Sequence, residues 1–291
     1  MRRWVLFALL SAASFAVMAA FVRLASESLP QTEVVFFRNF AALLMLIPLL
    51  YRGRISLSTS HPGLHLFRIS IGLMAMYLYF YALSHLPLAD ALLLNYTSPL
   101  FIGLFAVMWL NEQWTRSRQL ASVVGLLGVA LLFHPSSSIA SMAGILGLLS
   151  GALAGLALTT VKKLSRTEPG LRIVVMFALG GSIISFVPML WHFRWPSFEA
   201  WVWIIGMALF GNIGHLALTR AYRLAPASQV SPMSYSSLLF AGLIGFLFWH
   251  EVPDLPGLAG ALIIVTAGIM VARERLEPAP TPPGGVPIIR P

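Results

Sequence analysis

Ten long apolar runs constrain the fold of this chain more than any other feature. The first extends from the N-terminus to about Val22, and short polar or proline-containing breaks separate the others. A membrane-spanning helix needs about 20 apolar residues, so ten of them use about 200 residues, and the connections in a chain of 291 residues must be short. The later runs lie near residues 34–50, 66–84, 88–110, 118–134, 141–162, 171–191, 199–221, 227–249 and 256–272. A large domain outside the membrane is therefore excluded.

The runs are apolar on every face, which favours helices over a transmembrane β-barrel. Barrel strands alternate apolar and polar residues over about 10 positions. Charged residues make up 10% of the chain, whereas a soluble domain has roughly 25%. The predicted fold class is an all-α polytopic membrane protein with ten transmembrane helices.

Lysine and arginine predict the orientation, because short cytoplasmic loops are enriched in them. With a cytoplasmic N-terminus, sixteen of the nineteen lie on the inside, Arg23 and Arg194 lie outside, and Arg38 lies within the second span. The sixteen include Arg68, Arg118 and Lys162. We therefore expect both termini in the cytoplasm of a bacterium, with the protein in the inner membrane. The net charge is +9, but the cations are spread over six short segments. This distribution argues against a nucleic-acid-binding surface.

The chain contains an internal repeat at an offset of 139 residues. Without a gap, residues 82–112 match residues 221–251 at nine positions. The identical pairs are Ala82/Ala221, Pro87/Pro226, Tyr96/Tyr235, Ser98/Ser237, Leu100/Leu239, Phe101/Phe240, Gly103/Gly242, Leu104/Leu243 and Glu112/Glu251. The same offset aligns the first span with the sixth, so the repeat unit is five spans.

Because five is odd, the second copy enters the membrane from the opposite side. We expect two inverted repeats, residues 1–140 and 141–276, followed by a disordered proline-rich cytoplasmic tail, residues 277–291. Inverted halves can rock around one site near the membrane midplane. This arrangement predicts a transporter that works by alternating access.

Motifs in four spans carry a resemblance to a known family. They are Phe36-Phe37-Arg38-Asn39, Asn95-Tyr96-Thr97-Ser98-Pro99-Leu100, Asn111-Glu112-Gln113, Arg220-Ala221, Ala225-Pro226-Ala227-Ser228, Tyr235 and His250-Glu251. With these motifs the chain resembles the EamA-type members of the drug/metabolite transporter superfamily over about residues 4–273. The resemblance implies an exporter of amino acids, including aromatic and apolar ones. Another small metabolite, such as a nucleoside, a sugar derivative or a drug, is the alternative.

Arg38 is the sharpest polar feature within a span. An arginine there costs about 2.5 to 3.5 kcal/mol on insertion scales, so it needs a partner, water or a ligand. One interpretation is that Arg38 reaches the headgroups or pairs with Glu33 or Asp90. The other is that it faces a vestibule and attracts a substrate carboxylate.

Hydroxyl, amide and aromatic groups in the middle of apolar spans are the other candidate substrate-binding residues. They are Tyr77, Tyr81, Asn95, Tyr96, Ser98, Asn212, His215, Ser234 and Tyr235. Pro99 and Pro232 are candidate kinks at a gate, because proline interrupts helical hydrogen bonding. The alternative is that these polar groups only hold helices together, at about 0.6 kcal/mol each.

Two carboxylates, Glu112 and Glu251, end the fourth and ninth spans. They either have a structural role, with Glu112 capping a helix or pairing with Arg116 or Arg118, or they couple transport to protons. A partly desolvated carboxylate can titrate near neutrality, so the sequence leaves proton coupling open.

Two further patterns concern packing. Gly147, Gly151 and Gly155 are spaced four residues apart, which allows another helix to approach closely. Whether that helix belongs to the same chain or to a second copy stays open, and with it the choice between monomer and homodimer. Tyr51 and Tyr222, with the tryptophans at positions 191, 195, 201 and 203, are expected at the membrane interfaces.

Other functional classes are disfavoured. The chain has no cysteine, its seven histidines are dispersed, and it contains no P-loop, so we expect no metal site, no cofactor and no ATP hydrolysis. An intramembrane enzyme is the alternative of a different class. It requires a pair of acid and base groups at one depth, for which the sequence offers few carboxylates.

Overall fold

The computed structural model describes residues 2–53, 56–133, 139–191, 193–250, 252 and 254–274. Over these ranges, ten helical spans are long and apolar enough to cross a membrane, which confirms the predicted fold class. The helices are α1 (Arg3–Ser26), α2 (Gln31–Arg52), α3 (Pro62–His85), α4 (Leu88–Asn95), α5 (Ser98–Leu110), α6 (Arg116–Phe133), α7 (Met142–Leu164), α8 (Gly170–Leu190), α9 (Phe198–Leu224), α10 (Ala227–Val230), α11 (Ser236–Trp249) and α12 (Leu255–Arg273). Glu251 and the predicted tail lie outside the described residues.

Short polar side chains start three of the helices. Ser141, Ser197 and Asp254 each accept a hydrogen bond from the backbone N–H three residues later, at the first turns of α7, α9 and α12. These bonds satisfy N–H groups that have no partner within the helix. The polar breaks between the apolar runs therefore act as helix caps.

The fourth and ninth spans are both interrupted near their middle. In the fourth span, α4 ends at Asn95 and α5 begins at Ser98. In the ninth span, a 3-10 turn over Ser231–Tyr235 joins α10 to α11. Each interruption contains a predicted kink residue or adjoins one: Pro99 lies in the first turn of α5, and Pro232 lies in the first turn of the 3-10 segment.

The ends of these two spans show the repeat in backbone conformation. Asn111 closes α5 and His250 closes α11, and both adopt the left-handed conformation, with φ angles of 53° and 56°. The two residues are one repeat offset apart in the sequence. Few residues other than glycine adopt this conformation, so its recurrence at equivalent positions supports two copies of one five-helix unit.

The two halves pack tightly at the face of the bundle where α1 begins and α12 ends, called here the terminal face. Its apolar core combines side chains from both halves and includes Trp4, Ile102, Leu164, Tyr222 and Val230. Dense packing of this kind resists deformation. The terminal face therefore closes one end of the bundle.

The glycine stripe of α7 packs against the interruption of the fourth span. A Cβ atom on Gly151 would lie 2.5 Å from the carbonyl oxygen of Leu94 and closer still to the Thr97 hydroxyl. Gly155 faces Phe101 and the Ser98 carbonyl in the same way. The stripe is therefore used within the chain, where it allows α7 to approach the α4–α5 break.

Replacing Gly151 with alanine should lower the stability of the purified protein by about 1 to 3 kcal/mol, the usual cost of overpacking. Part of the clash is with backbone, which cannot rotate away. Gly242→Ala is the matched control, because its Cβ meets nothing within 4 Å and alanine favours a helix. Thermal unfolding in detergent measures both. Equal midpoints for the two variants would contradict the close approach.

Candidate functional site

A cavity of about 360 Å³ lies between the two halves. The first half contributes α1, α2, α3 and both sides of the α4–α5 break, and the second half contributes α7, α8, α9 and the α10–α11 segment. Small-molecule sites typically measure about 300 to 1,000 Å³. The cavity therefore has the size and position expected of a substrate site.

Six of the ten predicted binding residues line this cavity. They are Arg38, Asn95, Tyr96, Ser98, His215 and Ser234. They come from both halves, and four of them belong to the interrupted spans. A broken helix places backbone and side-chain polar groups inside the membrane, and this is why the interruptions and the cavity coincide.

Two predicted tyrosines of α3, Tyr77 and Tyr81, do not line the cavity. Residues 68, 72, 75, 76 and 79 line it, and at 100° per residue they share one face of the helix. Tyr77 and Tyr81 are each two positions from Tyr79 and point away from that face. Tyr81 is instead exposed and stacks on His85, with ring centroids 4.1 Å apart.

Asn212 and Tyr235 were also predicted to line the cavity and do not. The Asn212 amide donates to the carbonyl of Ala42 at 3.0 Å and joins α9 to α2. The Tyr235 hydroxyl donates to the carbonyl of Ser122 at 3.1 Å, and its buried ring packs with Val129 of α6. Both side chains stabilise helix packing, as the alternative interpretation proposed for this group.

Arg38 faces the cavity and contacts His215. Its Nη2 lies 3.3 Å from His215 Nε2, whereas Glu33 accepts a hydrogen bond from the backbone N–H of Arg194. A guanidinium only donates, so Nε2 accepts and the imidazole is neutral. Phe15 and Phe177 hold the imidazole from two sides, with centroid distances of 5.0 and 5.9 Å. The ring thus orients Arg38 toward the cavity.

Arg68 is a cavity residue that the sequence analysis missed. The sequence predicts Arg68 to be one of the cytoplasmic cations, but α3 begins at Pro62, so Arg68 lies in the second turn of the helix. Its side chain is 6% exposed, lines the cavity and lies over the Phe177 ring, with Cζ 4.1 Å from the ring centroid. Proline at the first position of a helix is common, and this feature marks the true start of α3.

The polar lining is positively charged. Arg38 and Arg68 both face the cavity, and no Asp or Glu occurs among the described residues that line it. The remaining wall is largely apolar or aromatic, with Phe15, Tyr79 and Phe177 among its residues. A buried charge is costly unless it is paired. The cavity is therefore suited to an organic anion with an apolar portion.

The two interruptions contact each other across the cavity. The Tyr96 hydroxyl lies 2.9 Å from Ser237 Oγ, and Ser231 Oγ donates to the carbonyl of Pro99 at 3.3 Å. The repeat pairs Tyr96 with Tyr235 and Ser98 with Ser237, yet Tyr235 bonds to α6 instead of Ser98. The two halves therefore have different local conformations at equivalent positions.

Glu112 joins the two halves at the terminal face. It accepts hydrogen bonds from the backbone N–H and the hydroxyl of Ser228, at 3.2 and 3.3 Å, and lies 3.9 Å from both Lys162 and Arg166. The predicted pairing with Arg116 or Arg118 is replaced by these contacts. Glu112 thus connects the end of α5 to α7 and to the start of α10.

Arg118 and Lys162, counted as cytoplasmic loop cations, are buried at the same face. Arg118 Nε lies 3.1 Å from Glu274, and its Nη1 donates to the carbonyl of Gln113 at 2.7 Å. Lys162 donates to the carbonyls of Tyr222 and Ala225, the latter at 2.6 Å. The contacts of Arg118 and Lys162 reinforce the apolar core at the terminal face.

Tyr222 was predicted to lie at a membrane interface. It is instead buried and lines the cavity, so this prediction is wrong.

A second polar cluster at the terminal face surrounds Glu168, in the loop between α7 and α8. Thr59, His65 and Arg172 donate to its carboxylate, the last two at 3.2 Å. Burial raises the pKa of the Glu168 carboxyl, but these hydrogen bonds outweigh it and leave the pKa below its usual value. Glu168 is therefore ionised at neutral pH, and it fastens the α2–α3 loop of the first half to the second half.

Comparisons with known proteins agree with this architecture. The family described as the EamA-like transporter family matches the chain twice, over residues 2–134 and 141–273. The pseudopaline exporter CntI of Pseudomonas aeruginosa is 33% identical over 93% of this chain and 96% of its own length. The S-adenosylmethionine uptake transporter of Rickettsia bellii is 26% identical over 92% and 91%. A crystal structure with 17% identity, which covers 93% of this chain and 95% of its own, superposes with a TM-score of 0.78 and shares the fold.

Proposed function

Because the chain belongs to the EamA-like transporter family, we propose that it exports amino acids and related carboxylates across a bacterial inner membrane. The observation that carries the proposal is the cavity between the halves, in which Arg38 is presented by His215. The relatives are named as transporters, and this chain is a membrane transporter of the same family. The substrate and the direction are the parts proposed.

The lining matches the chemistry of an amino acid. A guanidinium binds a carboxylate through two parallel N–H···O bonds, and Arg38 supplies it. Asn95, Tyr96 and Ser234 line the cavity, and their side-chain oxygens are acceptors for an ammonium group. The aromatic wall accommodates an apolar or aromatic side chain. This division of polar and apolar surface suits amino acids better than sugars.

Alternating access is supported by the asymmetry between the halves. Inverted repeats transport by exchanging their conformations around a fixed site, and such an exchange requires that the two repeats differ in any one state. Tyr96 and Tyr235 differ in this way.

The terminal face is closed in this state. With both termini in the cytoplasm, as the loop charges indicate, the closed face is the cytoplasmic one.

Export is proposed because a relative with 33% identity is named as a pseudopaline exporter. An uptake transporter also occurs among the relatives, so the fold itself does not fix the direction. A carrier without a coupled ion moves its substrate down the prevailing gradient.

Glu112 contacts Ser228, Lys162 and Arg166. We propose that it holds the cytoplasmic face closed and does not carry a proton.

Counterflow in liposomes that contain only the purified protein tests this function. Radiolabelled phenylalanine, methionine and threonine should accumulate in vesicles loaded with the unlabelled amino acid. Unlabelled phenylalanine should compete, whereas phenethylamine, which lacks only the carboxylate, should compete at least about tenfold less well, since it forms no bond to Arg38. Protein-free vesicles give the background.

A step in external pH then addresses coupling. Accumulation above the counterflow level, driven by the pH gradient, would identify proton coupling and contradict the role proposed for Glu112. If no amino acid moves although the protein remains monodisperse, the amino-acid assignment is wrong. The search would then turn to other organic anions.

A further inference from the structure

Arg68 is a buried cation with an unsatisfied hydrogen-bond donor. Its side chain is 6% exposed, and its Nε has no hydrogen-bond partner within the described part of the chain. The guanidinium lies against Gly72, where a Cβ would clash with it, so α3 leaves space for this side chain to reach the cavity. An unpaired guanidinium within a membrane span is costly unless water or a ligand compensates its charge.

Arg38 cannot supply that compensation, because it carries the same charge. The two guanidinium groups line one cavity in which no described carboxylate occurs, and like charges in one cavity repel each other. A single carboxylate bound in bidentate fashion by Arg38 neutralises one of the two charges. The second charge then has no carboxylate beside it among the described residues that line the cavity.

We infer that Arg68 binds a second carboxylate, so that the preferred substrates are amino-acid derivatives with two carboxylates. This inference rests on the proposed function. Each guanidinium contacts its own aromatic ring: His215 lies 3.3 Å from Arg38, Arg68 lies over Phe177 at 4.1 Å, and the two ring centroids are 5.9 Å apart. In the proposed complex each carboxylate pairs with one guanidinium, and the body of the substrate lies along the surface of the two rings.

A purely structural role makes a different prediction. If Arg68 only packs on Phe177, the cation–π contact stabilises the helix pair α3–α8 and does not distinguish ligands by charge. If Arg68 binds a carboxylate, removing that carboxylate from the ligand and removing the guanidinium from the protein abolish the same contact. The two losses of binding free energy are then not additive. A double-mutant cycle between ligand and protein separates the two roles.

The probes are γ-glutamyl-phenylalanine and its C-terminal amide, which differ by one carboxylate. Binding to the purified full-length protein in detergent is measured by calorimetry, and counterflow of the labelled diacid is measured in liposomes. We expect the wild type to bind the diacid at least about tenfold more tightly than the amide, the loss typical of one charged hydrogen-bonding partner. In Arg68→Gln this ratio should fall to about one.

Two further variants keep the test decisive. Arg68→Lys keeps the charge but not the planar fork, so it should give an intermediate ratio. Arg220→Gln removes an exposed arginine of α9 and should keep the wild-type ratio. A ratio near one in the wild type, or a full ratio in Arg68→Gln, overturns the inference.

The readouts also separate this inference from the proposed function. If phenylalanine and methionine show counterflow but the wild-type ratio is one, the inference fails and the proposed function stands. If binding depends on Arg68 as expected but no compound moves in liposomes, the proposed function fails and the carboxylate site stands. If neither binding nor movement is seen with monodisperse protein, both are wrong.

Discussion

Replacing Arg38 with glutamine is expected to reduce amino-acid counterflow at least about 30-fold, because removing one partner of a desolvated charge pair costs about 2 kcal/mol or more. Arg38 is the more accessible of the two cavity arginines and is oriented by His215 at 3.3 Å. Glutamine can still donate to His215, so the fold around the imidazole should persist. The variant loses the bidentate contact that we propose between Arg38 and the substrate carboxylate.

Counterflow of labelled phenylalanine in liposomes measures this effect, with protein incorporation quantified for each variant. Arg52→Gln is the matched control, since Arg52 lies at the exposed end of the same helix and should transport like the wild type. Arg38→Lys keeps the charge without the fork and should retain part of the activity. Wild-type counterflow in Arg38→Gln would show that the substrate carboxylate is bound elsewhere.

The helices and the repeat could be predicted because membrane burial leaves few choices. Each span must be a helix of about 20 apolar residues, so hydropathy locates it within a few positions. The interruption near Tyr96 was also visible, since a polar cluster with Pro99 occurs inside an apolar run. Arg38 was found for the same reason, because a charge within a long apolar run requires an explanation.

The rotation of each helix could not be predicted in the same way. Spans that are apolar on every face carry no amphipathic pattern, so the sequence does not distinguish Tyr77 and Tyr81 from Tyr79, which lines the cavity. Only the packing of α3 showed that Tyr79 shares a face with Arg68. Arg68 itself was missed because its apolar run begins close to it, whereas the helix starts earlier, at Pro62.

The burial of charged residues at helix ends could not be predicted from the sequence either. The number of cations in each loop predicts on which side of the membrane that loop lies. It does not indicate whether the side chains are exposed. Arg118 and Lys162 satisfy that count and are nevertheless buried, because α5, α9 and α10 end or begin at the terminal face and present unpaired carbonyls and a carboxylate. Such contacts depend on which helices meet, and one sequence does not reveal that.

Replacing Lys162 with methionine is expected to destabilise the protein by about 3 to 5 kcal/mol, the cost of removing one partner from a buried ionic contact. The ammonium group donates to the carbonyls of Tyr222 and Ala225 at the end of α9 and lies 3.9 Å from Glu112. Methionine fills a similar volume but donates nothing. Two buried carbonyls then lose this donor, and Glu112 loses one of its contacts at the seam between the halves.

The neighbouring residue provides a control with the same chemical change. Lys163 lies over the Trp109 ring at 4.2 Å and is more exposed than Lys162, so Lys163→Met should cost only about 0.5 to 1 kcal/mol. Thermal unfolding in detergent, followed by tryptophan fluorescence, should give a midpoint at least about 6 °C lower for Lys162→Met and a much smaller shift for Lys163→Met. Because both variants remove one positive charge from the same helix end, a difference between them reports the buried contacts and not the net charge. Equal shifts would mean that the Lys162 contacts do not hold the terminal face together, and the closure of that face would then have to rest on the apolar core around Trp4 and Leu164.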